Sequence, residues 1–145
     1  MIYMNKDKER WVCVSGYFDP LHIGHIEYFK KSKLIGDKLM VIVNNDKQAE
    51  LKKGKAFMPC DERVQIISEL KCVDLVIKSI DIDRTVCKTL ETVMPIPHFF
   101  CNGGDQNNNT IPEGEICTRR EIELRDGFGD KIQSSSWLIK KSKDN

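Results

Sequence analysis

Short, mostly apolar runs recur along this chain, separated by mixed segments with helical spacing. Residues 11–15 (Trp-Val-Cys-Val-Ser) read as a short buried strand ending at Gly16. Ile26, Tyr28, Phe29 and Leu34 then supply one apolar helical face, with Lys30, Lys31 and Lys33 on the solvated remainder, up to Gly36-Asp37. Residues 39–43 (Leu-Met-Val-Ile-Val) form a continuous apolar run, the pattern of a parallel strand covered on both faces. Residues 45–59 carry no apolar period and read as a loop, of a length that in compact domains is usually functional. Asp61 is placed to cap a helix containing Val64, Ile67 and Leu70. A strand at 74–77 follows, then a helix capped by Asp83 with Val86, Leu90 and Val93 at helical spacing. Pro95 and Pro97 end it ahead of a buried strand at 98–101. A short charged helix around 113–121, a strand at 122–125 and a last helix from Trp137 to Lys141 complete the pattern. Strands alternating with helices of this length predict βαβ units. The expected architecture is a Rossmann-like α/β fold, a three-layer αβα sandwich around a five-stranded, mainly parallel sheet. No repeat, linker or composition break interrupts it, so residues 1–145 form one expected domain.

Composition narrows the function classes. At 145 residues, a chain buries roughly 68–70% of its unfolded surface, enough for a core and a cleft without staples. Its 23 basic and 22 acidic side chains give a formal charge of +1. That balance provides no broad basic field for a nucleic acid or an anionic membrane. No apolar run approaches the ~20 residues of a membrane span, and the first ten residues lack the apolar core of a secretory signal. A cytoplasmic location is the expectation. The six cysteines are scattered and include no CxxC pair. Several sit inside strand-like runs, where a free thiol behaves as a small buried hydrophobe, so reduced structural thiols are expected and no metal centre.

Chemistry concentrates in residues 16–25, Gly-Tyr-Phe-Asp-Pro-Leu-His-Ile-Gly-His, between the first strand and the first helix. Open α/β sheets bind ligands there, at the carboxyl ends of the strands. Gly16 allows close backbone approach to a phosphate. Gly24 leaves the first helical turn bare, with its unpaired N–H groups and positive dipole end. His22 and His25, three apart, project from one face of that turn and form a site for phosphate oxygens.

This string resembles the GxFD and HxGH motifs of the cytidylyltransferase-like nucleotidyltransferases, and the resemblance runs nearly the whole length. Lys53-Gly54 ahead of Asp61-Glu62-Arg63 is similar to the family's mobile lysine loop and following helix. Lys71 to Val76 is similar to an element that in relatives lies near a dimer interface, with Lys71 and Cys72 in place of the usual arginine and tyrosine. Asn102-Gly103-Gly104-Asp105 is similar to the loop flanking the nucleotide base, and Ser134-Ser135-Ser136 to the hydroxyl run that contacts phosphates. The arginine-threonine-glutamate-glycine-isoleucine segment of phospho-alcohol cytidylyltransferases is absent ahead of those serines. Arg125 and Lys131 are the cations nearest to that place. The glycine-glycine-aspartate of residues 103–105 looks closer to sugar-phosphate adenylyltransferases, which leaves the base, CTP or ATP, open.

The resemblance implies transfer of a nucleoside monophosphate from CTP or ATP to a small phosphorylated acceptor, a phospho-alcohol or sugar phosphate, with release of pyrophosphate. His22, His25, Lys53 (or Lys55) and Arg63 are the implied catalytic cations. Gly16, Tyr17, Phe18, Asp19, Gly24, Asn102, Gly103, Asp105 and the three serines are the implied nucleotide contacts. Mg2+ is expected on the nucleotide phosphates, without a protein ligand cluster, although Asp19 offers a carboxylate. A homodimer is expected. The alternatives are adenylyl transfer to a cofactor phosphate such as FMN, and a nucleotide-binding module without catalysis. The second implies tight binding without turnover.

Overall fold

A computed structural model describes residues 9–103 and 111–128. Ten elements follow in chain order: β1 (Trp11–Gly16), α1 (Ile23–Lys33), β2 (Lys38–Val43), α2 (Asp46–Lys53), α3 (Cys60–Ser68), β3 (Leu75–Lys78), α4 (Cys87–Thr92), β4 (Phe99–Gly103), α5 (Gly114–Arg119) and β5 (Glu123–Phe128). The five strands form one sheet in the order β3-β2-β1-β4-β5. Every neighbouring pair is parallel, with Val12 opposite both Leu39 and Phe99. The chain walks outward from β1 to β3 and then returns past β1 to β4. Strand order therefore reverses between β1 and β4, and the carboxyl ends of those two strands flank the crevice where such sheets bind ligands.

Side chains alternate across this sheet and build a core on each face. Val12, Val14, Leu39, Val41, Val43 and Phe99 meet Tyr28 and Phe29 of α1 and Ile67 of α3. Cys13, Met40, Ile42 and Phe100 meet Leu90 of α4 and Ile116 and Cys117 of α5. All five β2 residues from Leu39 to Val43 are fully buried, as a strand covered on both sides requires. The six cysteines are free thiols, four of them buried, and burial pushes Cys101 and Cys117 up to about 12.

Helix boundaries differ from the sequence pattern in instructive places. The stretch read as a loop, 45–59, contains α2. Its eight residues bury only Gln48 and Ala49, so no apolar stripe marks it. It forms because Asn45 and Gln48 close a capping box, the Asn45 side chain accepting from Gln48 N and the Gln48 side chain accepting from Asn45 N. Asp61 does not cap α3. Asp46, at the start of α2, accepts the Cys60 N–H at 2.8 Å instead, while Asp61 pairs with Lys78 on the surface. Asp83 likewise gives way to Asp81, whose carboxylate accepts from Lys88 N and Thr89 N in the first turn of α4. Leu34, expected on the buried face of α1, is 83% exposed, and Ser32 lies inside in its place. The last predicted helix, 137–141, lies outside the described residues.

Asn45 has a second task. Its amide donates to the carbonyls of Ser79 and Asp81, fastening the segment after β3 to the first turn of α2. Asn45→Ala should therefore cost more than a simple cap, about 2 kcal/mol. The urea unfolding midpoint reads it directly, and a loss below 0.5 kcal/mol, on the order of a neutral surface change, would show that the clasp contributes nothing.

Candidate functional site

The carboxyl edge of the sheet gathers most of the singled-out residues. Gly16 ends β1, and Tyr17, Phe18 and Asp19 turn away from it. Phe18 takes φ +52°, a left-handed backbone that is costly for a bulky residue. This folds its ring back over Gly16, where a Cβ would stand 2.7 Å from Phe18 Cζ. The space that glycine leaves at this turn is thus filled by an aromatic ring. Phe18 then packs edge-on against Phe29 at 5.1 Å and against His25 at 5.0 Å, carrying the support of the core to the second histidine.

His22 and His25 form a reciprocal cap on α1. His22 is the N-cap, and its Nδ1 accepts from Gly24 N at 3.1 Å. His25 Nδ1 accepts in turn from His22 N at 3.1 Å. The rings stack at 3.9 Å. An Nδ1 that accepts carries no proton, so each imidazole is neutral in this arrangement and keeps one donor, Nε2–H. For His25 this agrees with its ionisation, lowered to about 4 by burial first and then by the neighbouring His22 and Lys52 charges. The pair thus presents two neutral N–H donors at a helix N-terminus, and Gly24 N is already used in holding one of them. A donor of this kind suits an anion without requiring a buried charge.

Asp19 is a latch. Its side chain has no solvent exposure. It accepts from Lys53 Nζ at 2.7 Å, from Phe57 N at 2.7 Å and from Met58 N at 2.7 Å, and Lys53 also donates to the Asp19 carbonyl. Burial raises its ionisation, but the Lys53 ammonium and the two backbone N–H groups outweigh that and hold it below the usual carboxylate range. Both oxygens are therefore engaged inside the protein, and neither stands free for a metal ion. Lys53 is correspondingly neutralised. Lys55 is exposed.

Arg63 is 1% exposed. Its fork donates to Met58 O, Tyr17 O, Asn44 O and the Asp46 carboxylate, all between 2.7 and 2.9 Å. The expectation of a fork open to phosphate, or of a surface pair with Glu62 or Glu69, is replaced by an internal hub. It ties together the ends of β1 and β2 and the starts of α2 and α3. In this structure Arg63 is a positioning residue.

Two cations not singled out by motif complete the edge. Lys52 Nζ lies 4.4 Å from the centroid of the Tyr17 ring. Burial first, then Arg84 and Lys53, lowers its ionisation. Arg84 follows β3 at the same sheet edge. The sequence carried no separate signal for Lys52, because which of the two adjacent lysines meets Asp19 is set by a contact 34 residues away. Asn102 and Gly103 close β4 beside β1, with Asn102 buried. Arg125 lies in the middle of β5, opposite Cys101, paired with Glu123 and set over the Phe99 ring. Asp105, Lys131, Ser134, Ser135 and Ser136 lie outside the described residues. Among the described residues no group of three histidine, cysteine or acidic side chains is placed to hold a metal ion.

Two outcomes follow from this geometry. Asp19→Asn leaves a neutral amide facing an ammonium and two N–H donors, and should cost about 2 kcal/mol. Trypsin should also cut after Lys55 faster than in the wild type, and an unchanged cleavage rate would show that Asp19 does not hold the 54–58 segment. His25, lowered in the folded state, contributes stability that is full above about pH 6.5 and is lost as pH falls toward 4. The stability difference between wild type and His25→Gln should therefore shrink between pH 7 and pH 4 in urea titrations. A constant difference would remove the buried neutral imidazole from the account.

With this geometry in place, the likenesses to known proteins fall into line. The cytidylyltransferase-like family model matches residues 13–141. A protein named FAD synthase from Thermococcus sibiricus is 39% identical over 121 residues, which is 82% of this chain and 79% of that one. The bifunctional protein HldE of Blochmanniella floridana is 38% identical over 114 residues, but the match spans only 23% of its length. A lipopolysaccharide core biosynthesis protein from Thermoplasma volcanium has a crystal structure that superposes with a TM-score of 0.66 at 30% identity, covering 82% of this chain and 96% of that one. A strand–turn–helix edge with two capping histidines, matched along nearly its whole length, places this chain in the cytidylyltransferase-like family of nucleotidyltransferases.

Proposed function

We propose that this chain transfers a nucleoside monophosphate from CTP or ATP to a small phosphorylated acceptor, a phospho-alcohol or sugar phosphate, releasing pyrophosphate. The carrying observation is the reciprocal histidine cap, two neutral Nε2–H donors held at the N-terminus of α1 beside the crevice between β1 and β4. A phosphate oxygen of the acceptor attacks the α-phosphorus in line, a P–O bond to the acceptor forms, and the bond to the β-phosphate oxygen breaks as pyrophosphate leaves. Such a reaction asks the protein for positioning and for stabilisation of charge on phosphate oxygens. His22 and His25 donate to those oxygens, and the helix dipole adds to them. Lys52, whose ammonium is not held by a carboxylate as Lys53 is, supplies the mobile positive charge from the end of α2. In this reading Asn102 and Gly103, at the end of β4, flank the base, and the family resemblance assigns nucleotide contacts to Asp105 and Ser134 to Ser136, which lie outside the described residues.

Mg2+ in this reading travels on the triphosphate and neutralises part of its charge. The Asp19 carboxylate, already engaged by Lys53 and two backbone N–H groups, would not be a ligand to it. We also read the protein as cytoplasmic and homodimeric. Among the described residues no helix is long and apolar enough to cross a membrane. Support for a dimer comes from the element at residues 71–76, where exposed Leu34 borders a hollow with Lys71 and Cys72. Sedimentation analysis decides it, and a monomer at micromolar concentration would remove it. A second reading, adenylyl transfer to FMN, is favoured by the likeness to a protein named FAD synthase. It uses the same edge and differs in base and acceptor.

His25→Ala should lower turnover at least 100-fold while costing about 1 kcal/mol of stability, because it removes a donor to the reacting phosphate. Full activity in that variant would overturn the assignment. Pyrophosphate release from CTP and from ATP, with FMN, sugar phosphates and phospho-alcohols as acceptors, tests the reaction itself. The nucleotide that raises the melting temperature most identifies the base, and no release across that panel with no shift from either nucleotide would remove the enzymatic reading.

A further inference from the structure

One exposed cation at this edge has a fixed mount and no counter-charge. Arg84 sits between Asp83 and Thr85, whose carbonyls are both held by the side-chain amide of Gln48, at 2.6 and 2.7 Å. Gln48 is fully buried on α2. Asn45 fastens the same segment at Ser79 and Asp81. Residue 84 is thus the tip of a turn clamped to the helix that carries Lys52 one turn further on.

The acids nearest in sequence do not neutralise it. Asp81 is engaged by Lys88 N, Thr89 N and the Thr89 hydroxyl. Asp83 is engaged by the N–H and hydroxyl of Thr85. Among the described residues no carboxylate forms an ion pair with Arg84.

Tyr17 links this tip to the site. Its ring lies under Lys52, and its hydroxyl is buried without a hydrogen-bond partner, a condition that in native proteins asks for an explanation. Gln48 clamps the Arg84 turn onto α2, and the same helix carries Lys52 over the Tyr17 ring, so both cations are mounted at this end of α2. Burial raises the ionisation of the Tyr17 hydroxyl, and the Arg84 guanidinium acts the other way. Lys52 and Arg84 are both exposed residues with long side chains that can part to admit an anion.

We propose that Arg84, with Lys52 across the Tyr17 ring, forms a phosphate cradle beside the histidine pair and binds a terminal phosphate group. That group is either the phosphomonoester of the acceptor or the outer phosphates of the nucleotide. The planar fork of Arg84 meets two oxygens, Lys52 meets the charge, and the Tyr17 hydroxyl donates to a third oxygen. This rests on the nucleotidyl-transfer reading and adds a binding residue to it.

Calorimetry with wild type, Arg84→Gln and Arg84→Lys tests it, using ATP, CTP, AMP, CMP, and inorganic phosphate added to protein saturated with AMP or CMP. Arg84 is exposed, so both variants should keep the wild-type melting temperature. If the cradle takes the nucleotide's outer phosphates, Arg84→Gln weakens ATP or CTP about tenfold and leaves AMP and CMP unchanged. If it takes the acceptor's phosphate, inorganic phosphate weakens about tenfold while the nucleotides do not. Arg84→Lys should recover part of either loss, which a purely structural role would not do. Wild-type binding of nucleotides with Arg84→Gln indistinguishable on every probe overturns the cradle and leaves the nucleotidyl-transfer reading standing. Wild type that binds no nucleotide overturns both.

Discussion

A single buried guanidinium organises the edge on which everything functional here depends. Arg63 donates to one carbonyl after β1, one after β2, one ahead of α3 and one carboxylate at the start of α2. A parallel sheet leaves its carboxyl edge ragged, with each strand running into a loop whose backbone carbonyls need partners. One planar fork of five donors satisfies several at once and fixes their spacing. Lysine has the same charge but not that geometry. Asp46 carries the arrangement one step further, because the oxygen that pairs with Arg63 also caps α3 through Cys60 N. The charge is balanced by one half-exposed carboxylate and dispersed over three carbonyls, which is how a buried cation becomes tolerable.

Around that hub the site separates its cations by task. Lys53 is consumed by the Asp19 latch, Arg63 by the hub, and Lys33 by Asp74 at 3.1 Å. Lys52 and Arg84 have no such partner among the described residues. A formal charge of +1 over 145 residues gives no broad basic field, yet it is compatible with a phosphate ligand, because the neutralised cations and the open ones lie in different places. Position decides recognition here, and total charge does not report it.

The parts of the structure legible in the sequence are those set by local pattern. β1, β2 and β4 follow from continuous apolar runs, and β2 buries every residue the run predicted. The strand–turn–helix motif and its two histidines were visible from spacing, although the spacing alone did not reveal that the imidazoles cap each other. The parts not legible were set by contacts across the chain. Asp61 and Asp83 have the right type and place for caps, but Asp46 and Asp81 take the N–H groups from elsewhere. Lys53 matched a lysine motif and Arg63 a helix motif, while their partners stand 34 and 46 residues away. α2 is the intermediate case. Its apolar pattern is silent, but Asn45-x-x-Gln48 is a capping-box spacing and marks a helix start without any apolar stripe.

The neutrality of the histidine pair bears on how this edge works as a whole. Two imidazolium ions 3.9 Å apart beside Lys52 would repel one another and lose the Nδ1 acceptors that hold the cap. Keeping them neutral removes that repulsion and leaves two fixed N–H dipoles, which need no reorganisation when charge develops on a phosphate. Positive charge is placed instead on the long side chains of Lys52 and Arg84 at the rim, where Lys52 is already partly withdrawn from water. The histidine pair is therefore uncharged and the positive charge lies on the long side chains beside it. An empty edge of this kind keeps Lys52 and Arg84 without a carboxylate partner among the described residues. An occupied one gains most where the ligand excludes water and the rim cations meet phosphate at lower dielectric.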